Sequence, residues 1–249
     1  MEKSIKRYMP IFVLPTFFAF ILGFIVPFIM GIWLSFCKFT TVTDAKFVGF
    51  SNYIEALKDT AFRHSFWYTA LFAIASLLII NIIAFALAMA LTKEMHGTNV
   101  FRTVFFMPNL IGGIVLGYVW KFVFNRAIVA IGQALSVGAL STSWLSTTNG
   151  AMFCLILVSV WQYAGYMMLI YVAGFMSVSK SLMEAAEIDG CTKTQATINV
   201  TIPLMRSSFV QCLFLTITRC FMVYDVNLSL TKGEPFNSSV MAAMHVYNQ

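Results

Sequence analysis

Two long runs without a single charged residue, 11–36 and 65–92, set the terms for this chain. Crossing about 30 Å of hydrocarbon takes roughly 20 residues of helix, and each run is long enough to span a bilayer with tilt. A helix satisfies its own backbone hydrogen bonds, which lipid cannot do for it. The remainder of the chain fits the same solvent. The chain as a whole is 59% hydrophobic and 10% charged, with 25 phenylalanines in 249 residues and a mean hydropathy of +0.82. That is more apolar surface than one soluble core of this size can hide.

Three further runs extend the pattern. Residues 103–125 are interrupted only by Lys121, near one end, where a long side chain can snorkel to the interface. The uncharged stretch 127–179 is too long for one span and is divided by "GALSTSWLSTTNG". Its first part reads as a loop or re-entrant segment, which leaves a span at 150–176. The last run, 207–230, carries Arg219 near its middle and Asp225 further on. Asp225 is six residues from Arg219, about 240° around and about 9 Å along a helix, so a simple internal pair is not expected.

Lysine and arginine orient the chain. With the N-terminus in the cytoplasm, the inner segments 1–10, 93–102 and 177–206 hold eight Lys/Arg in 50 residues. The outer segments 37–64, 125–149 and 232–249 hold six in 71. The first apolar run exceeds the roughly 7–15 residues of a secretory signal core, so it reads as an uncleaved first span. The net charge of +6 is scattered along the chain. It fits an inner-leaflet bias and not a nucleic-acid partner. Cys37, Cys154, Cys191, Cys212 and Cys220 form no CxxC pair and read as small packing residues.

Against this background "EAAEIDG", from Glu184 to Gly190, concentrates three carboxylates in an inner loop. Ser181 with Glu184 has capping-box spacing, Gly190 suits a left-handed helix stop, and Thr192 with Gln195 repeats the capping box. Pro203 either ends the second segment or opens the next span at its first turn. The loop therefore reads as helix, glycine turn, helix. Ala185 and Ala186 permit another backbone to approach closely, and a helix of about two turns needs something to dock on. An amphipathic helix lying on the membrane surface is the other reading, which the acids disfavour because the inner leaflet is itself negative.

"EAA" at 184–186, "DG" at 189–190, Gln195 and "IPL" at 202–204 resemble the EAA loop of permease subunits of bacterial ABC importers. "FVGFSNYIEAL", "FRTVFFMPNLIGGIVLGYVWKFVFN", "VWQYAGYMMLIYVAGF" and "VYDVNLSLTKGEP" resemble the maltose-type sugar permeases, so the likeness covers nearly the whole chain. The resemblance implies that Glu184, Ala185, Ala186, Asp189 and Gly190 form the coupling helix seated on an ATP-hydrolysing subunit. It also implies a second homologous permease, two cytosolic ATP-binding subunits and an extracytoplasmic solute-binding protein as partners. Relative to that family, Glu234 stands where glycine is usual and Arg219 where a small polar residue is usual. A sixth span usually follows, whereas this sequence stops at "MHVYNQ", so a truncated or partial product is expected.

Catalytic signatures are missing from the sequence. No GxxxxGK[ST] cradles phosphate, so the energy source lies in a partner. His64, His96 and His245 are isolated and have no zinc-site spacing, and no cofactor is expected. GxSxG is absent too. Gly113 and Gly117 read as a close-packing pair. Pro108 and Asn109 beside them either interrupt the span and line a cavity or only kink it. Trp161, Gln162, Tyr163 and Tyr166 are side chains that a sugar path uses, since ring faces stack on sugars and amides bind hydroxyls; interface anchoring and packing are the alternatives. Arg219, expensive in lipid, should face that path or the second permease.

The expected fold class is thus all-α: a polytopic membrane helical bundle of five spans with the ABC importer permease fold. It comprises a cytoplasmic N-terminus at 1–10, a transmembrane permease domain at 11–230 that includes the cytoplasmic EAA loop at 177–206, and an extracytoplasmic tail at 231–249 that stops before a sixth span. The expected function is the membrane-spanning, non-enzymatic permease subunit of an ATP-driven carbohydrate importer in a bacterial cytoplasmic membrane. A non-transporting fragment or assembly subunit is the alternative. An integral membrane enzyme would need clustered reactive residues near one membrane depth.

Overall fold

The computed structural model describes residues 11, 13–93 and 96–248; the expected N-terminal segment 1–10 lies outside them. The chain divides into two compact units, one ending at Arg63 and one beginning at His64.

In the first unit, helix α1 (Val13–Ser35) has no buried residue in its most apolar stretch. Such a surface is tolerable only in lipid. Pro27 lacks the N–H that would bond the Gly23 carbonyl, and the turn just before it, Ile21–Ile25, opens to π geometry. A two-residue hairpin comes next, β1 (Cys37–Lys38) paired antiparallel with β2 (Lys46–Phe47), with Cys37 opposite Phe47. Helix α2 (Ser51–Lys58) is fastened by Asn52, whose Nδ2 donates to the carbonyls of Ser35 and Cys37, each at 2.9 Å.

The second unit is built on two long helices, α3 (Thr60–Leu91) and α6 (Thr148–Ser177). Buried Ser76, Ile80, Ala84 and Ala88 repeat every four residues along α3, the spacing that puts them on one face. Three of the four are small, so neighbours approach closely. Between these helices lie α4 (Thr98–Phe106) and α5 (Gly113–Ala134), separated by a 3-10 turn at Met107–Leu110. After α6 come α7 (Lys180–Ile188), α8 (Lys193–Leu204), α9 (Arg206–Phe221), α10 (Asp225–Leu230) and α11 (Ala242–Tyr247). A π turn at Thr197–Thr201 precedes Pro203, repeating the arrangement before Pro27.

Phe72, Leu116, Phe124, Leu155, Val158 and Leu230 centre one buried cluster, and Ile80, Met167, Met168, Tyr171, Met205 and Cys212 a second. Cys154, Cys212 and Cys220 are fully buried and unbridged.

Helices α1, α3, α5 and α6 are each long and apolar enough to cross a membrane; α8 with α9 qualifies only as a pair bent by 68°. Two expected elements differ in extent. The run 103–125 is not continuous helix: Pro108 cannot donate and the chain is extended at Ile111 and Gly112, so the helix restarts at Gly113. It then runs on to Ala134 through a π turn at Val123–Ala127, past the point where a loop was expected. The run 207–230 breaks at 222–224, between α9 and α10.

Candidate functional site

Both breaks open onto one place. A cavity of about 430 Å³ is lined by Asn109 from the 3-10 turn, Gln162 and Tyr163 from α6, Thr218 and Arg219 from α9, and Asp225 from the start of α10. Interrupting a helix frees backbone carbonyls that need partners. Gln162 meets one of them, its Nε2 donating to the Ile111 carbonyl at 3.2 Å. That bond fixes the amide and leaves its oxygen without a partner. Gln162 is only 5% exposed, and its Oε1 and the Oδ1 of Asn109 are buried without a hydrogen-bond partner. Buried acceptors of this kind are rare in native proteins and call for an explanation.

Arg219 is half-buried. Its guanidinium carbon lies 5.0 Å from the centre of the Tyr163 ring and 5.2 Å from that of Tyr166. A cation over aromatic faces gains about 0.5–2 kcal/mol, which offsets part of its desolvation. Asp225 lines the same cavity. The expectation that the two charges would lie on different faces assumed a continuous helix; the break at 222–224 removes that constraint.

Two glycines form the wall beside α10. A Cβ on Gly117 would fall 1.9 Å from Ser229 Oγ, and one on Gly113 2.8 Å from Asp225 Cβ. Ser229 also donates from Oγ to the Asp225 carbonyl at 2.6 Å. The close-packing pair read from the sequence thus receives α10, a helix too short to have been anticipated. Gly165 acts likewise on α6: a Cβ there would sit 1.8 Å from the Phe105 carbonyl oxygen.

Fully buried Asn227 ties α10 to the segment 231–241. Its Nδ2 donates to Thr231 Oγ1 at 2.9 Å and to the Ser239 carbonyl at 2.8 Å, while its Oδ1 accepts from the Met241 N–H at 3.1 Å. Thr218 and Asp225 were not read as site builders because they reach one cavity only through the break between α9 and α10.

Trp161 does not join them. It turns to a separate apolar groove of about 750 Å³ walled by α3, α4 and α6, and packs edge-on against Trp120 at 5.5 Å.

The acidic loop forms α7 and its stop. Gly190 adopts φ +81°; Cys191 N–H bonds the Ala186 carbonyl at 3.0 Å and Gly190 N–H the Glu187 carbonyl at 3.1 Å. This double closure is the Schellman helix end. At the other end the expected Ser181–Glu184 capping box is not formed. The N-cap position falls two residues earlier, at Ser179, so Ser181 lies inside the first turn and its Oγ donates to Ser179 Oγ at 3.2 Å. The Thr192–Gln195 box is present, with Thr192 N–H donating to Gln195 Oε1 at 2.8 Å. Helix α7 packs on α8. Ala186 and Ala196 are buried, Thr201 Oγ1 contacts Met183 Sδ at 3.4 Å, and Glu184, Ala185, Glu187 and Asp189 are left exposed.

Several apolar helices around a polar cavity, with a two-helix loop projecting from the bundle, describe a membrane transport subunit. Residues 82–248 match the family described as binding-protein-dependent transport system inner membrane component. The chain belongs to this family, and is therefore a multi-pass transporter component and not an enzyme. It is 39% identical over 237 residues, 95% of this chain and 81% of the relative, to the probable starch degradation products transport system permease protein of Thermoanaerobacterium thermosulfurigenes. It is 30% identical over 226 residues, 90% of this chain and 78% of the relative, to the multiple sugar-binding transport system permease protein of Streptococcus mutans. In fold it is similar to a chain in the crystal structure of a bacterial ABC transporter involved in the import of the acidic polysaccharide alginate. The TM-score there is 0.80 at 19% identity, covering 99% of this chain and 85% of that one.

Proposed function

We propose that this chain lines part of a carbohydrate translocation path and is driven by ATP-hydrolysing subunits docked on the loop 177–206. The observation that carries the reading is the polar cavity at Asn109, Gln162, Tyr163 and Arg219, set among helices whose outer faces are apolar. Hydroxyl-rich cargo is suited by polar amide side chains, a cationic donor and aromatic rings, and residues of all three kinds line this cavity. The relatives named for starch degradation products and for multiple sugars support the cargo class.

In this reading the N-terminus and the loop 177–206 face the cytoplasm and the segment 231–249 faces outward. A second permease completes the path, two ATP-binding subunits sit beneath, and a solute-binding protein delivers cargo. Glu184, Ala185, Asp189 and Gly190 make the dock, and Ala186, buried, seats α7 behind it. Helix α8 runs from that dock to the 68° bend and into α9, about 24 Å of rigid helix. Arg219 stands near the far end of α9. Movement of the dock when nucleotide closes the ATPases would therefore reach the cavity through one lever.

The test is ATP-dependent uptake of labelled maltotriose, cellotriose and xylotriose by the complete importer in proteoliposomes. Replacing Arg219 with leucine removes a charge that costs about 2.5–3.5 kcal/mol at a membrane helix centre, so Arg219→Leu should insert and assemble normally. Its uptake should fall at least about tenfold, because the cavity loses its cation. Uptake at the wild-type rate would exclude Arg219 from the path.

A further inference from the structure

Helix α2, in the first unit, is amphipathic and turns its apolar side outward. Phe50, just before its first turn, Ile54 and Leu57 fall within about 60° of one another around the axis, and they are 68%, 50% and 66% exposed. Ser51, Asn52, Glu55 and Lys58 take the remaining circumference, with Glu55 about 160° from Leu57. An exposed apolar face rimmed by polar residues marks a surface that something apolar covers.

The depth of α2 says what covers it. Helix α1 has 23 residues, a length of about 34 Å, against hydrocarbon about 30 Å thick. A span that fills the hydrocarbon in this way ends at the headgroups, at Ser35. Helix α2 is pinned to that level by Asn52, which donates to the Ser35 and Cys37 carbonyls, and by a 2.7 Å hydrogen bond between the hydroxyls of Tyr53 and Ser35. It also leans back along α1. Ala56, one turn beyond Asn52, lines a groove of about 580 Å³ with Gly31 and Leu34, and Gly31 lies one turn, about 6 Å, deeper than Ser35. Around the junction the Phe36 ring packs on Phe50 at 5.4 Å and on Tyr53 at 5.5 Å, and Trp33 stacks on Phe47 at 5.7 Å. Aromatic side chains gather in this way where a membrane meets water.

We infer that α2 is an interfacial helix whose partner is the lipid surface of the leaflet in which α1 ends. Phe50, Ile54 and Leu57 lie among the upper acyl chains, continuing the lipid-facing surface of α1, and Glu55 and Lys58 lie among headgroups and water. Interfacial helices bury their apolar face about 5–10 Å into this boundary, the depth that Gly31 marks. So held, α2 resists sliding of α1 along the membrane normal. The inference follows from the end of α1 alone and depends neither on which side of the membrane that end faces nor on the cargo.

The complete importer in liposomes of phosphatidylethanolamine and phosphatidylglycerol tests it, first with this chain unaltered. A phospholipid with a photoreactive diazirine near the top of its acyl chain should leave adducts on α1 and on the tryptic peptide 47–58, which Lys46 and Lys58 bracket. Labelling of α1 with none on 47–58 overturns the inference. Nitroxides on Leu57→Cys and Glu55→Cys then resolve the two faces, each variant carrying Cys191→Ser, since the other four cysteines are buried, and assembled with cysteine-free partner subunits. Oxygen concentrates in the bilayer and a nickel chelate in water, so the ratio of oxygen to nickel collisions should be at least about fivefold higher at 57 than at 55. Equal ratios would place α2 in water and overturn the inference. Scarce collisions with both reagents at 57 would place that face under a protein subunit and overturn it as well.

Discussion

The loop 177–206 and the cavity beside α10 place their side chains in opposite ways. On the loop, Ile188 is 85% exposed and Leu182 46%, apolar surface turned outward. At the cavity, Gln162 and Asn227 are buried in the middle of apolar packing. The loop is held by short-range bonds, such as Cys191 N–H to the Ala186 carbonyl and Thr192 N–H to Gln195 Oε1. The cavity is held by Gln162 to Ile111, 51 residues apart, and by Ser229 to Gly113, 116 apart. A surface that will be covered by a partner can be prefabricated locally and left apolar. A site that must receive polar cargo inside a bilayer has to be assembled from several helices, so that each polar group is shielded from lipid.

If the two regions are independent, the wall of one can be damaged without touching the other. Gly165→Ala should have the largest effect. The new Cβ would collide with the backbone of α4 at Phe105, overpacking costs about 1–3 kcal/mol, and displacement of α4 carries Asn109 away from Gln162. Saccharide binding should fall by more than about tenfold while ATPase subunits still co-purify. Loss of both together would show that loop and cavity fold as one unit. A smaller effect is expected from Ile188→Ser. The side chain is solvent-exposed, so thermal stability should move by less than about 0.5 kcal/mol. Withdrawing an isoleucine from an interface removes about 1.5–3 kcal/mol, so ATPase association should weaken by about ten- to a hundredfold. Unaltered association would show that the exposed apolar face is not what the partner covers.

The same contrast explains which features were legible in the sequence. Helix stops and caps are local chemistry: Gly190 at positive φ and the Thr192–Gln195 box stand where their residue types put them. The Ser181–Glu184 spacing misled because two serines, 179 and 181, compete for the same helix start, and spacing alone does not rank them. Hydropathy locates apolar stretches but not breaks within them. Pro108 and Asn109 mark the interruption at Met107–Leu110, whereas 222–224 breaks a run that looks continuous, and the two interruptions together open the cavity. Asn109, Gln162, Tyr163 and Arg219 could be picked out as odd in lipid, and they share one cavity. Trp161, one residue from Gln162, faces elsewhere, because neighbours on a helix point about 100° apart. Asp225 stood out as a charge in an apolar run but was set apart from Arg219 by the assumption of a continuous helix, and Asn227 gave no signal, since its partners depend on a short helix seated against Gly113 and Gly117.

Co-purification of this chain with ATPase subunits from its own cell membranes, wild type against Gly190→Arg, tests the central claim most directly. Gly190 has φ +81° and open space around it, so arginine strains the stop by about 1–2 kcal/mol and projects a long side chain into the dock without disturbing the bundle. The account predicts that wild type retains an ATPase and that Gly190→Arg, equally well inserted, does not. Equal retention by both would contradict it and move the coupling surface off the loop 177–206.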